Sequence, residues 1–224
     1  MLTDARLRWN FRARGPWVSR FHINGRSYGG WCDFAEDDRL REFFDRFEPC
    51  RVLELGCLEG AQTIELARRG YEVTAIEGRP DNLNRARWIC RVLSVDASLH
   101  AADVEQVPLR EFGEFDVVFC CGLLYHLPRP WELVAQLPAT APRLFLSTHY
   151  AEREEEMVDG FGGSWYRELG RDDPLSGLSQ RSFWLTKPAL LELLRSTGYA
   201  EVDVTHDWMH PNGPLIGLVA SVGA

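Results

Sequence analysis

The stretch from Arg51 to Arg79, RVLELGCLEGAQTIELARRGYEVTAIEGR, constrains the fold more than any other part of the chain. A short apolar run, Val52 to Leu55, enters a turn carrying Gly56 and Gly60. Ala61 to Arg69 then continues at helical period, and a second apolar run ends at Ile76-Glu77. Strand, glycine turn, helix and strand in that order make a β-α-β unit. Parallel strands need a crossover of about this length, and its right-handed sense sets the glycine turn beside Glu77 at the C-terminal edge of a sheet. Open α/β sheets bind nucleotide-like ligands at such an edge.

At 224 residues the chain can bury a full core, and one domain is expected. Hydrophobic residues make up 45% and charged residues 26%, and no apolar run approaches the roughly 18 residues that cross a bilayer. This reads as a soluble protein without a membrane partner. Met1 to Arg14 carries arginines but no apolar h-region, so no signal peptide is expected. Six cysteines, at positions 32, 50, 57, 90, 120 and 121, follow no disulfide or metal-ligand spacing and read as reduced thiols in a cytoplasm. The net charge of −8 argues against a nucleic-acid backbone as the main partner. Residues 1–30 are the local exception: Arg6, Arg8, Arg12, Arg14, Arg20 and Arg26 against Asp4 give +5, which leaves −13 for the rest. A solvated arm whose arginines pair with the acidic body is favoured over an anion-binding or RNA-binding arm.

Residues 1–30 show no clean period and predict an extended arm. Asp33 to Phe47, with Leu40, Phe43, Phe44 and Phe47 on one face, predicts a helix. After the central unit, Asp81 to Leu93 is a helix behind Pro80, Ala97 to Ala101 a third strand, Phe115 to Cys121 a buried strand, and Pro130 to Leu137 a helix. Leu144 to Ser147 makes a fifth strand ending at Thr148-His149-Tyr150. From 151 to 185 the pattern breaks, and the aromatic content of this long connection argues for order. Within it, Glu154-Glu155-Glu156 reads as a solvated helix start. Pro188 to Thr197 predicts a helix stopped by Gly198, and Tyr199 to His206 with Leu215 to Val222 predicts an antiparallel hairpin around Pro211-Asn212-Gly213-Pro214.

The strand ends bring Glu54 with Gly56 to Gly60, Glu77-Gly78, Asp103-Val104, Cys121 to His126 and Thr148-His149 to one rim. A carboxylate at the second strand end can accept both hydroxyls of a ribose. A nicotinamide dinucleotide would use the same carboxylate, so Glu77 alone leaves the cofactor open. The pyrophosphate-cradling G-x-G-x-x-G/A pattern read from Gly56 would need glycine at Leu58, which favours a ligand making less demand on the turn.

ELGCLEG, followed by Glu77, Asp103 and FDVVFCCGLLYHL, resembles the class I S-adenosylmethionine-dependent methyltransferases. The resemblance covers about residues 50 to 150 and the terminal hairpin. It implies an α/β, Rossmann-like, doubly wound, seven-stranded and mostly parallel sheet with a C-terminal antiparallel hairpin, and S-adenosylmethionine as cofactor. It implies that Glu54 and the loop Gly56, Cys57, Leu58 and Gly60 hold the methionine part, Glu77 with Gly78 the ribose, and Asp103 with Val104 the adenine. Cys121 would line the floor near the sulfonium. Leu58 stands where such loops more usually carry glycine. GLLYHLPRPWELV also resembles enzymes of the same superfamily that alkylate wobble uridines in tRNA. A single domain then divides into an N-terminal arm and helix (1–48), a cofactor-binding core (49–150), a substrate-side insertion or cap (151–185), and a helix with the terminal hairpin (186–224).

Transfer to an alcohol, phenol or amine requires loss of a proton, and His126 and His149, each just after a strand, are the candidate catalytic bases. A histidine that only packs beneath the cofactor is the competing account of His126. His206, Asp207 and His210 invite a metal reading, but their hairpin spacing does not share a helical face, and no metal is expected. Candidate substrate residues are Tyr28 and Trp31 in the arm and Trp165 and Tyr166 in the insertion, with Phe183, Trp184, Arg171, Asp172 and Arg181 nearby. A satellite core under a long loop would use the same residues. The expected function is methyl transfer to an oxygen or nitrogen of a small molecule, such as a secondary metabolite. The alternatives are a tRNA-modifying or RNA-modifying alkyltransferase and a non-catalytic cofactor-binding regulatory protein.

Overall fold

The structure is a computed structural model and describes residues 2–170 and 173–223, so Arg171 and Asp172 lie outside the described residues. The chain divides into two compact units, Met1–Ala102 and Asp103–Ala224.

The first unit opens with α1 (Asp4–Arg14) and the hairpin of β1 (Arg20–Ile23) and β2 (Arg26–Gly29). This corrects the expectation of an extended arm. The hairpin closes through Asn24 and Gly25, both left-handed (φ 52° and 73°), as a two-residue turn matched to strand twist requires. Leu7, Phe11, Trp17, Phe21, Ile23 and Tyr28 pack in one cluster with Ala61, Ile64, Trp88, Ile89 and Cys90. The helix escaped a periodicity search because it buries only Leu7 and Phe11, while Trp9 is exposed. The arm's charges also differ from expectation. Asp4, inside the arm, takes both Arg8 and Arg26, and Arg14 bonds Asn10 Oδ1 at 2.6 Å while lying over the Trp88 ring.

The helix expected from Asp33 to Phe47 is divided. Asp33 caps a short 3₁₀ turn and Asp37 caps α2 (Asp38–Arg46), each accepting a backbone N–H two residues on. Then follow β3 (Arg51–Leu55), α3 (Ala61–Arg68), β4 (Glu72–Glu77), α4 (Pro80–Leu93) and β5 (Ser98–Ala101). The strands run parallel, with Glu54 beside Ala75 and Glu77 beside Ala101. These are two successive β-α-β crossovers, placed where the sequence put them.

The second unit contains β6 (Val117–Cys121), buried throughout, and a 3₁₀ turn at Leu124–His126. The expected Pro130 to Leu137 helix is two pieces, α5 (Pro130–Val134) and α6 (Leu137–Thr140). Pro138 has no N–H to continue the first helix and fits the first turn of a second. β7 (Arg143–His149) lies parallel to β6. The described residues of the 151–185 segment include a three-stranded antiparallel sheet of β8 (Glu156–Val158), β9 (Phe161–Arg167) and β10 (Arg181–Leu185), so the acid run enters a strand and not a helix. After α7 (Lys187–Thr197) come β11 (Tyr199–His210) and β12 (Gly213–Val222). Their hairpin is longer than predicted: Pro211-Asn212 is the whole turn, and Pro214 pairs with Met209 inside the ladder. β12 also pairs antiparallel with β7.

The seven strands β3 to β7, β11 and β12 form a Rossmann-like, mostly parallel sheet finished by an antiparallel C-terminal hairpin. No helix among the described residues is long and apolar enough to cross a membrane.

Candidate functional site

In the first unit the glycine turn is built on the end of β3. Gly56 and Cys57 donate their N–H groups to Ile76 O at 2.9 and 3.1 Å, and Gly60 N–H closes on Cys57 O at 2.8 Å. Gly56, Leu58 and Gly60 are all left-handed, with φ of 75°, 52° and 80°. Leu58 therefore occupies, as a leucine, the backbone region that glycine adopts without strain. Its N–H donates to Glu77 Oε2 at 2.8 Å, and Arg79 N–H donates to Glu77 Oε1 at 2.8 Å. The turn and the carboxylate are thus locked together. Burial raises the Glu77 carboxyl, and these two N–H groups pull against that rise. A carboxylate offers about four acceptor sites, of which these backbone groups take two. At Gly60 an added Cβ would meet Ala86 Cβ at 3.0 Å, so glycine allows α3 to start hard against α4.

Glu54 is 1% exposed. Thr63 Oγ1 donates to its Oε2, and its Oε1 has no hydrogen-bond partner among the described residues. Burial pushes this carboxyl up to about 7, opposed by the Thr63 bond and reinforced by the Glu77 charge. A buried carboxylate oxygen without a donor fits the ammonium of an amino-acid ligand. Cys57 is buried in the turn, and burial drives its thiol well above the ordinary range. Gly78 follows Glu77, half-buried.

The sequence did not point to Glu59. Its buried carboxylate accepts Val18 N–H at 3.1 Å and Ser19 N–H at 2.6 Å, which ties the arm to the glycine turn.

In the second unit Asp103 Oδ1 accepts Glu105 N–H at 3.1 Å, shaping the turn that carries the buried Val104. Cys121 is buried at the end of β6, followed by Gly122 at φ 84°. His126 lies in the 3₁₀ turn and stays partly accessible, with its Nδ1 3.0 Å from Glu168 Oε1. Glu168 also accepts Ser176 Oγ at 2.5 Å, Gly177 N–H at 2.7 Å and Ser182 Oγ at 2.7 Å. Burial alone would raise this carboxyl, but His126, Ser176 and Gly177 outweigh it and hold the value down at about 2.

His149 is placed differently. It is 6% exposed, its ring is stacked on Trp184 at 5.1 Å with Tyr125 edge-on, and Nδ1 is 3.1 Å from Pro214 O. Burial lowers its basicity. This environment packs His149, the second candidate base, among aromatic rings, with Nδ1 turned to a backbone carbonyl. His210 packs against that ring at 5.2 Å, and no three metal-ligating side chains gather among the described residues. Tyr28, the arm's other candidate substrate residue, is buried, stacks on Phe11 and gives its hydroxyl to Asp4 at 2.5 Å. Trp31 is 60% exposed. Trp165 lies under the Arg181 guanidinium at 3.9 Å, and Tyr166 stacks on Trp184 at 3.8 Å with its own face exposed.

A family model for a methyltransferase domain matches residues 53–138. A ubiquinone biosynthesis O-methyltransferase of Xanthomonas axonopodis pv. citri (strain 306) is 35% identical over 115 residues, 49% of this chain and 48% of that protein. The chain spans about half the length of the curated relatives it matches. A crystal structure of the N-terminal domain of EvdMO1 with SAH bound superposes with a TM-score of 0.90 at 33% identity, covering 100% of this chain and 98% of that one. A second structure of that domain, in the presence of SAH and D-fucose, gives 0.89 at 33% identity and the same coverage. The fold and these relatives define a methyltransferase domain. The chain belongs to the class I S-adenosylmethionine-dependent methyltransferase superfamily.

Proposed function

We propose that the protein transfers a methyl group from S-adenosylmethionine to a hydroxyl oxygen of a small molecule, acting as a single methyltransferase domain over residues 1–224. The observation that carries this is the buried Glu54 oxygen that meets no donor among the described residues, set in the same β-α-β unit as the turn-locked Glu77. Glu54 would take the cofactor's ammonium, and Glu77 with Gly78 would take its ribose hydroxyls. Gly56, Cys57, Leu58 and Gly60 would let the backbone come close, Asp103 and Val104 would hold the adenine, and Cys121 would lie near the sulfur. When bound, that cofactor supplies an activated methyl that passes to the acceptor oxygen while the bonding pair of the S–CH₃ bond stays on sulfur. His126 would receive the hydroxyl proton at Nε2.

Oxygen is preferred to nitrogen because the curated relative is an O-methyltransferase, and a sugar hydroxyl is a reasonable acceptor class because the EvdMO1 domain was studied with D-fucose. Trp31, Trp165 and Tyr166 would contact that acceptor. Thiols buried at Cys57, Cys90, Cys120 and Cys121 suit a reducing cytoplasm. Arg8 and Arg26 are engaged by Asp4 inside the arm, which favours a small-molecule substrate over RNA.

Calorimetry with S-adenosylhomocysteine, followed by transfer of labelled methyl to sugar and phenol acceptors, tests the proposal. Micromolar affinity and label on oxygen are expected. Absence of binding at millimolar ligand, or label on nitrogen alone, would overturn it.

A further inference from the structure

Glu168 belongs to the 151–185 insertion, yet its carboxylate is buried against the turn that follows β6. His126 and Ser182 approach Oε1 at 3.0 and 2.7 Å, and Ser176 and Gly177 approach Oε2 at 2.5 and 2.7 Å. Four donors on two oxygens saturate an ionised carboxylate and leave it no freedom to rotate. The insertion is pinned to the same turn independently, through Phe183 N–H to Leu127 O at 2.9 Å. Gly177 also permits the close approach, because a Cβ there would lie 2.5 Å from His126 O.

We propose that Glu168 is a positioning residue that fixes His126 with its proton on Nδ1 and its lone pair on Nε2. A carboxylate without a proton can only accept, so the Nδ1 facing it must be the donor. The remaining nitrogen is then the proton acceptor, and the imidazolium formed when it takes the hydroxyl proton is balanced by the adjacent carboxylate. The insertion therefore orients the base in addition to shaping the substrate side. This inference rests on the reading of His126 as the base in the proposed methyl transfer.

Glu168→Gln keeps the shape but offers one acceptor oxygen to two pairs of donors. It is expected to lower kcat by about 10- to 100-fold while the KM for the cofactor changes little, with Glu168→Asp recovering part of the loss. The second readout needs no cofactor: imidazole ¹⁵N resonances of the wild-type protein should show His126 protonated at Nδ1 and bare at Nε2. A wild-type spectrum with the proton on Nε2 overturns the proposal, whether or not the variants fold. Wild-type kcat in Glu168→Gln, beside a His126→Gln variant slowed by about 100-fold, would refute Glu168 alone. Unchanged turnover in His126→Gln would remove the base reading beneath it.

Discussion

Thr63 Oγ1 donates to Glu54 Oε2 at 2.5 Å, while Glu54 Oε1, buried beside it, meets no donor among the described residues. The consequence is a carboxyl held up at about 7 by burial, against an ordinary value of 4.5. The folded chain therefore holds this proton more tightly than the unfolded chain does. The penalty is absent below about pH 4.5, grows between there and about pH 7, and is complete above. Glu54→Gln should stabilise the ligand-free protein at pH 8 by up to roughly 3 kcal/mol and leave its melting temperature at pH 4.5 nearly unchanged. Thermal melts at the two pH values decide this, and a variant less stable at pH 8 would contradict it.

The same carboxyl should release a proton when an ammonium arrives. Below about pH 7 Glu54 is largely protonated in the free protein, and the ionised form is the one that pairs with a cation. Calorimetry of S-adenosylhomocysteine at pH 6, in two buffers of different ionisation enthalpy, should show proton release that disappears at pH 8.5. In Glu54→Gln the buffer dependence should vanish and affinity should fall by about tenfold or more.

Glu77 and Leu58 are one unit, because the leucine N–H is held by the carboxylate in a left-handed conformation. A β-branched side chain tolerates that conformation poorly, so Leu58→Val should cost about 1–2 kcal/mol in denaturant unfolding. Leu58→Gly should be near neutral, since relief of strain is offset by the extra freedom of the unfolded chain. Glu77→Gln, which offers one acceptor oxygen in place of two, should weaken S-adenosylhomocysteine by about tenfold or more.

What could be read from the residues was what local sequence dictates. The apolar runs at Val52–Leu55 and Val117–Cys121, the glycines at 56 and 60 and the acid at 77 all act within a few residues of themselves, and the structure places these elements as expected. What escaped were partnerships across distance. Glu59 finds its donors some 40 residues back at Val18 and Ser19, and Glu168 finds His126 at a separation of 42. His149 and Tyr28 carried chemical promise in the sequence and proved to be packed inside aromatic clusters, because burial depends on neighbours that no spacing rule supplies. One faint signal for Glu168 was present: an acid just after Trp165 and Tyr166, outside the acid run at 154–156.

The arm gives the last test. Its helix and hairpin share a core with α3 and α4, but its polar anchor to the glycine turn is the Glu59 carboxylate on Val18 and Ser19. Burial raises that carboxyl, and the two N–H groups oppose the rise. Glu59→Ala removes the acceptor and leaves two buried donors exposed to no water, at about 1–3 kcal/mol for each such group. Hydrogen exchange should then show faster amide exchange at 17–19, with β3 and β4 still protected, and S-adenosylhomocysteine should bind more weakly because the turn has lost its brace. Exchange at 17–19 as slow as in the wild type would mean that the apolar cluster alone seats the arm.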